Sequence, residues 1–201
     1  MANEETNHTK GQMGTEEKIL TAAIECIEEY GLEGVTLRRI AKRAGVNSAA
    51  INYYFRSKER LIEKAMETTL QNAFNWADFA DSEMMEPQER LIAIIDSLVE
   101  GVLRFPGIVR AHFYDTVVHG DYDTKVMRRF GEFLGELKED LAARGLQIEE
   151  AELKTAILQV VSAAFLPAAL MPKLFELFAG FSLEDAKARR GYIRRLVERL
   201  L

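Results

Sequence analysis

The sequence of 201 residues predicts an all-α protein. Apolar residues recur at intervals of three and four through most of the chain, which is the spacing of one face of a helix. Glycine and proline residues interrupt these runs, and no segment alternates polar and apolar residues as a half-buried strand would. Hydrophobic residues make up 48% of the chain, which is enough to bury a large core without disulfides or metal ions.

Four helices are predicted in the first third of the chain, because each apolar run follows a polar residue that can cap a helix. The capping residues are Thr15, Thr36, Asn47 or Ser48, and Ser57. Gly31 and Gly34 are expected to end the first helix, and Gly45 the second. The fourth helix is expected to end between residues 76 and 79.

Three more helices are predicted beyond a loop at residues 81–87. The first of them ends before Pro106, and the second begins at that proline, whose fixed φ suits a first helical turn. Gly120 ends the second helix. The third has apolar residues at helical spacing from 126 to 141 and ends at Gly145.

The last part of the chain predicts a long apolar helix over residues 149–178 and a final helix over 183–201. Pro167 and Pro172 are expected to kink or break the long helix. Residues 155–172 carry no charge, but they contain polar residues and two prolines. This composition favours a helix buried in the protein or in an interface over a membrane span.

Charge is unevenly distributed. Residues 36–60 contain seven basic residues and one acidic residue, whereas residues 65–201 contain 16 basic and 22 acidic residues. A basic patch on an acidic chain indicates a polyanion site at one end of the molecule. The alternative interpretation is a helix face whose charges are only solvated. The balance excludes a wholly basic nucleic-acid coat and a disordered chain of low hydrophobicity.

The single cysteine, Cys26, excludes an intrachain disulfide and fits a reducing compartment. Because it lies among apolar residues, we expect a buried, inert thiol. Residues 1–14 are polar and contain no apolar segment like that of a signal peptide, so they predict a flexible tail. We therefore expect a cytoplasmic protein with no membrane association.

The most informative segment is residues 35–62, with the sequence VTLRRIAKRAGVNSAAINYYFRSKERLI. It predicts two short helices joined at Gly45, a residue that can adopt positive φ and turn the chain sharply. Small residues around this turn allow the two helices to cross closely. The second helix, residues 48–54, has small polar and aromatic side chains that suit the major groove of DNA. The pattern is that of a helix-turn-helix.

This segment resembles the tetracycline-repressor (TetR) family of bacterial transcription regulators. The residues that carry the resemblance are Thr36, Ile40, Ala41, Ala44, Gly45, Val46, Tyr54, Phe55, Ser57, Lys58 and Leu61. The resemblance implies a three-helix DNA-binding head on a homodimer whose larger helical domain binds a small effector. It assigns residues 15–60 to the helix-turn-helix domain and residues 61–201 to effector binding and dimerisation.

The same resemblance implies which side chains contact double-stranded operator DNA. The predicted DNA-binding residues are Thr36, Arg39, Lys42, Asn47, Ser48, Ala49, Ala50, Asn52, Tyr53, Tyr54 and Lys58. Of these, Thr36, Tyr54 and Lys58 match positions that contact phosphates in the family. For Tyr53 there are two alternatives, a place in the core and a contact with DNA. For the basic residues from 38 to 43 the alternatives are contact with DNA and pairing with glutamates. Asn47 and Asn52 depart from common family residues, so base preference is not inferred.

The C-terminal two thirds is rich in aromatic residues, some of which are expected to line an apolar ligand pocket. The predicted ligand-binding residues are Phe105, Phe113, Tyr114, Phe130 and Phe165. His112, Asp115 and His119 share one predicted helix face, but two histidines without a fourth ligand make a poor metal site. No metal or cofactor is therefore predicted.

The last two helices are predicted to form the dimer interface, because two copies could build a four-helix bundle. The predicted interface residues are Val160, Val161, Ala164, Phe165, Ala168 and Ala169. Burial of this face within one chain is the alternative.

The leading function is a ligand-responsive DNA-binding regulator, most often a repressor, released from its operator by a small, mostly apolar effector. The alternatives are a helical enzyme that uses the His112 face and a helical protein-binding adaptor. The enzyme has the weaker support, since the sequence contains no nucleophile elbow, phosphate loop or metal motif.

Overall fold

A computed structural model describes residues 14–201, and the predicted tail lies outside this range except for Gly14. The described residues form helices and loops and contain no strand, as the apolar spacing predicts. The first four helices are α1 (Thr15–Gly34), α2 (Leu37–Ala44), α3 (Ser48–Phe55) and α4 (Lys58–Ala73). A 3₁₀ segment, Trp76–Ser82, follows α4.

The remaining helices are α5 (Pro87–Arg104), α6 (Pro106–Tyr114), α7 (Lys125–Ala143), α8 (Glu150–Leu170) and α9 (Ala186–Leu200). A wider π-helical turn, Asp115–His119, extends α6, and a second one, Phe175–Ala179, lies between α8 and α9. The α8 helix continues through Pro167 and ends at Leu170, so the second of the two prolines marks the break.

Three of the predicted caps are formed by side chains. The oxygen atoms of Thr36, Asn47 and Ser57 accept hydrogen bonds from the backbone N–H groups of the third residue into α2, α3 and α4. These bonds satisfy amide groups that a helix leaves without an internal partner. Thr15 is instead the first residue of α1, which follows Gly14 without a side-chain cap.

Two hydrophobic clusters form the interior. The first joins α1, α2, α3 and α4, and includes Ile108 of α6; the second joins α5, α7, α8 and α9 with Phe74 and Phe79. Cys26 lies in the first cluster, where burial raises the pKa of its thiol, as expected for an unreactive cysteine. Helices α4 and α6 contact both clusters and therefore connect them.

Two buried arginines fix the packing around α5. Arg90 donates to Asp140 of α7 at 2.6 Å and to the carbonyl of Phe79 at 3.2 Å. Arg189 of α9 donates to Asp96 of α5 at 2.7 Å. Because each guanidinium is buried and paired, removing one partner would leave an uncompensated charge inside the protein.

Candidate DNA-binding surface and ligand cavity

The turn between α2 and α3 has the geometry of a helix-turn-helix. Gly45 adopts φ 67°, which is favourable for glycine and strained for other residues. Its amide and that of Val46 both bond to the carbonyl of Ala41, which closes the end of α2. Ile40, Ile51 and Phe55 are buried beneath the two helices. The core therefore fixes which face of α3 points to solvent.

The predicted DNA-binding residues lie in α2 and α3, at the caps before these two helices and at the start of α4. Nine of them are exposed, and Ala50 and Lys58 are partly buried. The exposed ones are Thr36, Arg39, Lys42, Asn47, Ser48, Ala49, Asn52, Tyr53 and Tyr54. Tyr53 is 81% exposed, and its ring lies edge-on to that of Tyr54. Tyr53 is therefore not a core residue.

The basic residues of this surface differ in how freely they can contact phosphates. Arg43 pairs with Glu29 of α1, as one of the alternatives predicted. Arg39 donates to the carbonyl of Gly34, and its guanidinium lies 4.3 Å from the centre of the Tyr30 ring. Lys42 and Lys58 form no ion pair with any residue in the range 14–201. These two lysines therefore present unneutralised charge.

A cavity of about 440 Å³ lies between α4, α5, α6 and α8. Its wall is mostly apolar and includes Phe105, Phe113 and Phe165, three of the five predicted ligand residues. Phe130 and Tyr114 do not line it, which corrects the prediction. Phe130 is buried behind the wall, with its ring stacked on Phe165 at 5.1 Å. The hydroxyl of Tyr114 instead donates to Glu33 of α1.

His112 is a polar residue of this wall, whereas the sequence placed it on a helix face shared with Asp115 and His119. Its Nε2 lies 2.9 Å from Oγ1 of Thr69, which also lines the cavity. Burial lowers the pKa of His112 to about 4, so the ring is neutral at pH 7. His119 instead packs edge-on to Tyr114. Across residues 14–201, no three metal-ligating side chains come together.

The predicted dimer face points into the protein. Val160, Val161, Ala164, Phe165 and Ala168 are buried in the second hydrophobic cluster of the same chain. The α8 helix is apolar on nearly every side, so spacing alone favoured no particular face. Half of its most apolar window is buried, which is typical of a core helix, although its length and composition would also suit a membrane span.

The outward side of α8 and the segment after it carry exposed apolar residues. These are Leu158, Leu170, Met171, Leu174, Leu177 and Phe178, and the last two are 85% and 90% exposed. Large contiguous apolar patches are rare on monomers and indicate interaction sites. Residues 171–178, which the sequence predicts as a continuation of the long helix, contain four of these six exposed apolar residues.

The basic end of the molecule coincides with a family match. Residues 19–65 match the family described as "Bacterial regulatory proteins, tetR family". A regulator from Chromohalobacter salexigens, named HTH-type transcriptional regulator BetI 1, is 38% identical over 80 residues. That alignment covers 39% of this chain and 40% of the relative, so the chain matches less than half of the length of this curated protein.

Solved structures resemble the chain over nearly its whole length. A TetR transcriptional regulator from Rhodococcus sp. RHA1 is 25% identical, with a TM-score of 0.52, and the match covers 93% of this chain and 95% of that one. The fatty acid degradation regulator FadR from Bacillus halodurans has a TM-score of 0.67 at 17% identity, covering 94% and 96%, and shares the fold. The family match, the helix-turn-helix and the full-length structural similarity agree: residues 19–65 match the tetR family of bacterial regulatory proteins, and the whole chain shares the fold of the solved regulators.

Proposed function

We propose that this protein is a cytoplasmic, homodimeric DNA-binding transcription regulator, most simply a repressor that a small, mostly apolar effector releases from its operator. The observation that carries the proposal is the exposed face of α3 beside unpaired lysines in a family-matched helix-turn-helix. In this arrangement the recognition helix enters the major groove, while the basic residues position it on phosphates.

In this proposal the exposed residues of α3 select bases. Ser48, Ala49 and Asn52 are exposed, and their short side chains allow close approach of the helix to base edges. Tyr53 and Tyr54 follow at the end of the helix, where a hydroxyl can donate to a phosphate. Among the cations, Lys42 and Lys58 are the stronger phosphate contacts, since Arg39 would have to leave the Tyr30 ring.

The effector site is the cavity, and two helices connect it to the head. The first residue of α4 is Lys58, and Thr69 near its other end forms part of the cavity wall. The α6 helix contributes His112 to the wall and is bound to α1 through Glu28. A ligand that prefers one arrangement of these helices shifts the head. Coupling of about 1–3 kcal/mol would change operator affinity roughly 5–150-fold.

The dimer uses the exposed apolar surface rather than the buried face of α8. Leu158 is exposed on α8, and Leu177 and Phe178 are exposed in the segment between α8 and α9. All three lie within residues 149–178, the first of the two predicted helices that the sequence assigns to dimerisation. A second copy with the same surface forms a two-fold pair and presents two recognition helices to one operator.

The test is a titration of the full-length protein against labelled duplex DNA from upstream of its own gene, at several salt concentrations. We expect tight, salt-dependent binding. Lys58→Ala should weaken binding to all sequences alike and reduce the salt slope by about one unit. Lys154→Ala, which removes an exposed lysine at the start of α8, is the control and should bind like the wild type. Equal effects of the two changes would contradict the assigned DNA-binding surface.

A further inference from the structure

The polar part of the cavity wall has a defined hydrogen-bonding direction. The Oγ1 atom of Thr69 lies 3.0 Å from the carbonyl of Met66 and 2.9 Å from Nε2 of His112. A carbonyl oxygen only accepts hydrogen bonds, and a hydroxyl group has one hydrogen to donate. Both contacts are satisfied in one arrangement: Thr69 donates to Met66 and accepts from the Nε2–H of His112.

This arrangement determines which ring nitrogen of His112 is available. A neutral imidazole carries one hydrogen, so a hydrogen on Nε2 leaves Nδ1 with a free lone pair. None of the described residues donates to Nδ1, and no buried side-chain nitrogen or oxygen among them lacks a partner. Nδ1 therefore retains accessible surface, and His112 lines the cavity. The wall offers a hydrogen-bond acceptor.

The charges of the wall limit the ligand further. The described residues that line the cavity include no lysine or arginine, and the one charged side chain is Asp78, which is exposed. A carboxylate buried there would have no cation to pair with and would lose its hydration. The remaining polar side chains, Asn72 and Ser97, are exposed too. Thr69 and His112 are the partly buried polar side chains of the wall.

We propose that the cavity binds an uncharged, mostly apolar molecule whose polar group is a hydroxyl, and that this hydroxyl donates to Nδ1 of His112. The proposal names the class of effector and so rests on the proposed function. It makes His112 the residue that distinguishes an alcohol from an ether or a carboxylate of the same size, and Thr69 the residue that positions the ring by holding its hydrogen on Nε2.

The test compares 1-octanol, its methyl ether and octanoate at pH 7, with full-length protein and no DNA. The fluorescence of the single tryptophan reports binding, because Trp76 packs 5.7 Å from Phe79 of the cavity wall. We expect octanol to bind roughly fivefold more tightly than the ether, because one neutral hydrogen bond increases affinity by about this factor. Octanoate should bind at least about tenfold more weakly than octanol.

Two variants separate the hydrogen bond from cavity shape. His112→Phe keeps an aromatic ring but removes the acceptor, so the preference for octanol over the ether should fall to about one. Thr69→Val keeps the shape and frees the ring tautomer, so the ether should gain affinity by accepting from Nδ1–H. His119→Gln, outside the cavity wall, is the control and should keep the wild-type preference.

The nitrogen NMR shifts of His112 give a second readout that needs no ligand. We expect a protonated Nε2 and an unprotonated Nδ1 in the wild type, and a mixture in Thr69→Val. A protonated Nδ1, equal affinity for octanol and ether, or no binding of any of the three probes would overturn the proposal. Failure to bind DNA would instead contradict the proposed function and leave these measurements intact, since they contain no DNA.

Discussion

Arg56, at the turn between α3 and α4, has a strained backbone. It has φ 65°, and the N–H of Ser57 donates to the carbonyl of Phe55 at 2.8 Å, which closes a tight turn around it. Turns of this kind with positive φ are rare and strained for residues other than glycine. This turn directs the chain from α3 into α4, and so fixes α3 relative to Lys58.

We therefore predict that Arg56→Gly stabilises the protein by about 1 kcal/mol, because glycine removes the steric cost of positive φ. Arg56→Ala is the matched control, since it removes the same charge but keeps the strain. The measurement is urea unfolding of both full-length variants. A glycine variant no more stable than the alanine variant would show that the turn stores no strain.

His112 has a second consequence at this scale, in the pH dependence of stability. Its pKa is lowered to about 4 in the folded protein, whereas an unfolded chain has the ordinary value near 6.5. Between these values the unfolded state binds a proton that the folded state excludes, so acid favours unfolding.

We predict that the stability of the wild type relative to His112→Phe is constant above about pH 7 and falls as the pH is lowered from 6.5 towards 4, by roughly 3 kcal/mol at most. Denaturant unfolding at each pH measures the difference, and the comparison cancels the titration of the other groups. A difference that does not change between pH 7 and pH 5 would contradict burial of a neutral ring.

At the scale of the elements, α1 and α6 are joined by a close contact that sequence spacing does not reveal. The two carboxylate oxygens of Glu28 accept from the amides of Gly107 and Ile108 at 3.0 and 2.8 Å, and so cap α6. A Cβ atom on Gly107 would lie 2.1 Å from the carbonyl oxygen of Glu28. The glycine is required because the two backbones touch.

Gly107→Ala should therefore destabilise the protein by about 2 kcal/mol or more, because α6 must move away from α1. Gly131→Ala, in an open position of α7, is the control; it should stabilise by about 0.5–1 kcal/mol through helix propensity. Thermal unfolding of both variants makes the comparison. Similar effects of the two changes would mean that the helices can separate at little cost.

The difference between contacts of neighbouring residues and contacts of distant helices explains which features the sequence predicted and which it missed. Thr36, Asn47, Ser57 and Gly45 act on neighbouring residues, so local spacing was enough to place the first helices and the turn. The pair formed by Thr69 and His112 joins two helices across 43 residues, and local periodicity carries no signal for such a contact.

At the scale of the whole molecule, the family fold and the basic end were predictable, but the outward face of α8 was not. The helix has apolar residues around most of its circumference, so periodicity could not decide which side packs against α5 and which faces solvent. The exposed apolar residues between α8 and α9 can be identified only from the packing of the folded chain. Pro172 ends the long helix and leaves Leu177 and Phe178 outside the core.

We predict that Leu177→Glu combined with Phe178→Glu converts the dimer into folded monomers that bind operator poorly, since charge would replace the apolar contact between copies. Met84→Glu changes a residue that is 96% exposed outside this surface and should leave the dimer intact. Sedimentation of the three proteins measures the outcome. A dimer that survives the double change would place the interface elsewhere.

The most direct test of the central claim, that this chain reads an operator through α3, is a footprint of the full-length protein on the DNA upstream of its gene. The account predicts protection of two half-sites related by two-fold symmetry, on one face of the duplex. Changing Ser48 or Ala49 should alter the preferred sequence of both half-sites. Uniform, sequence-independent protection at every concentration that binds DNA would contradict the account.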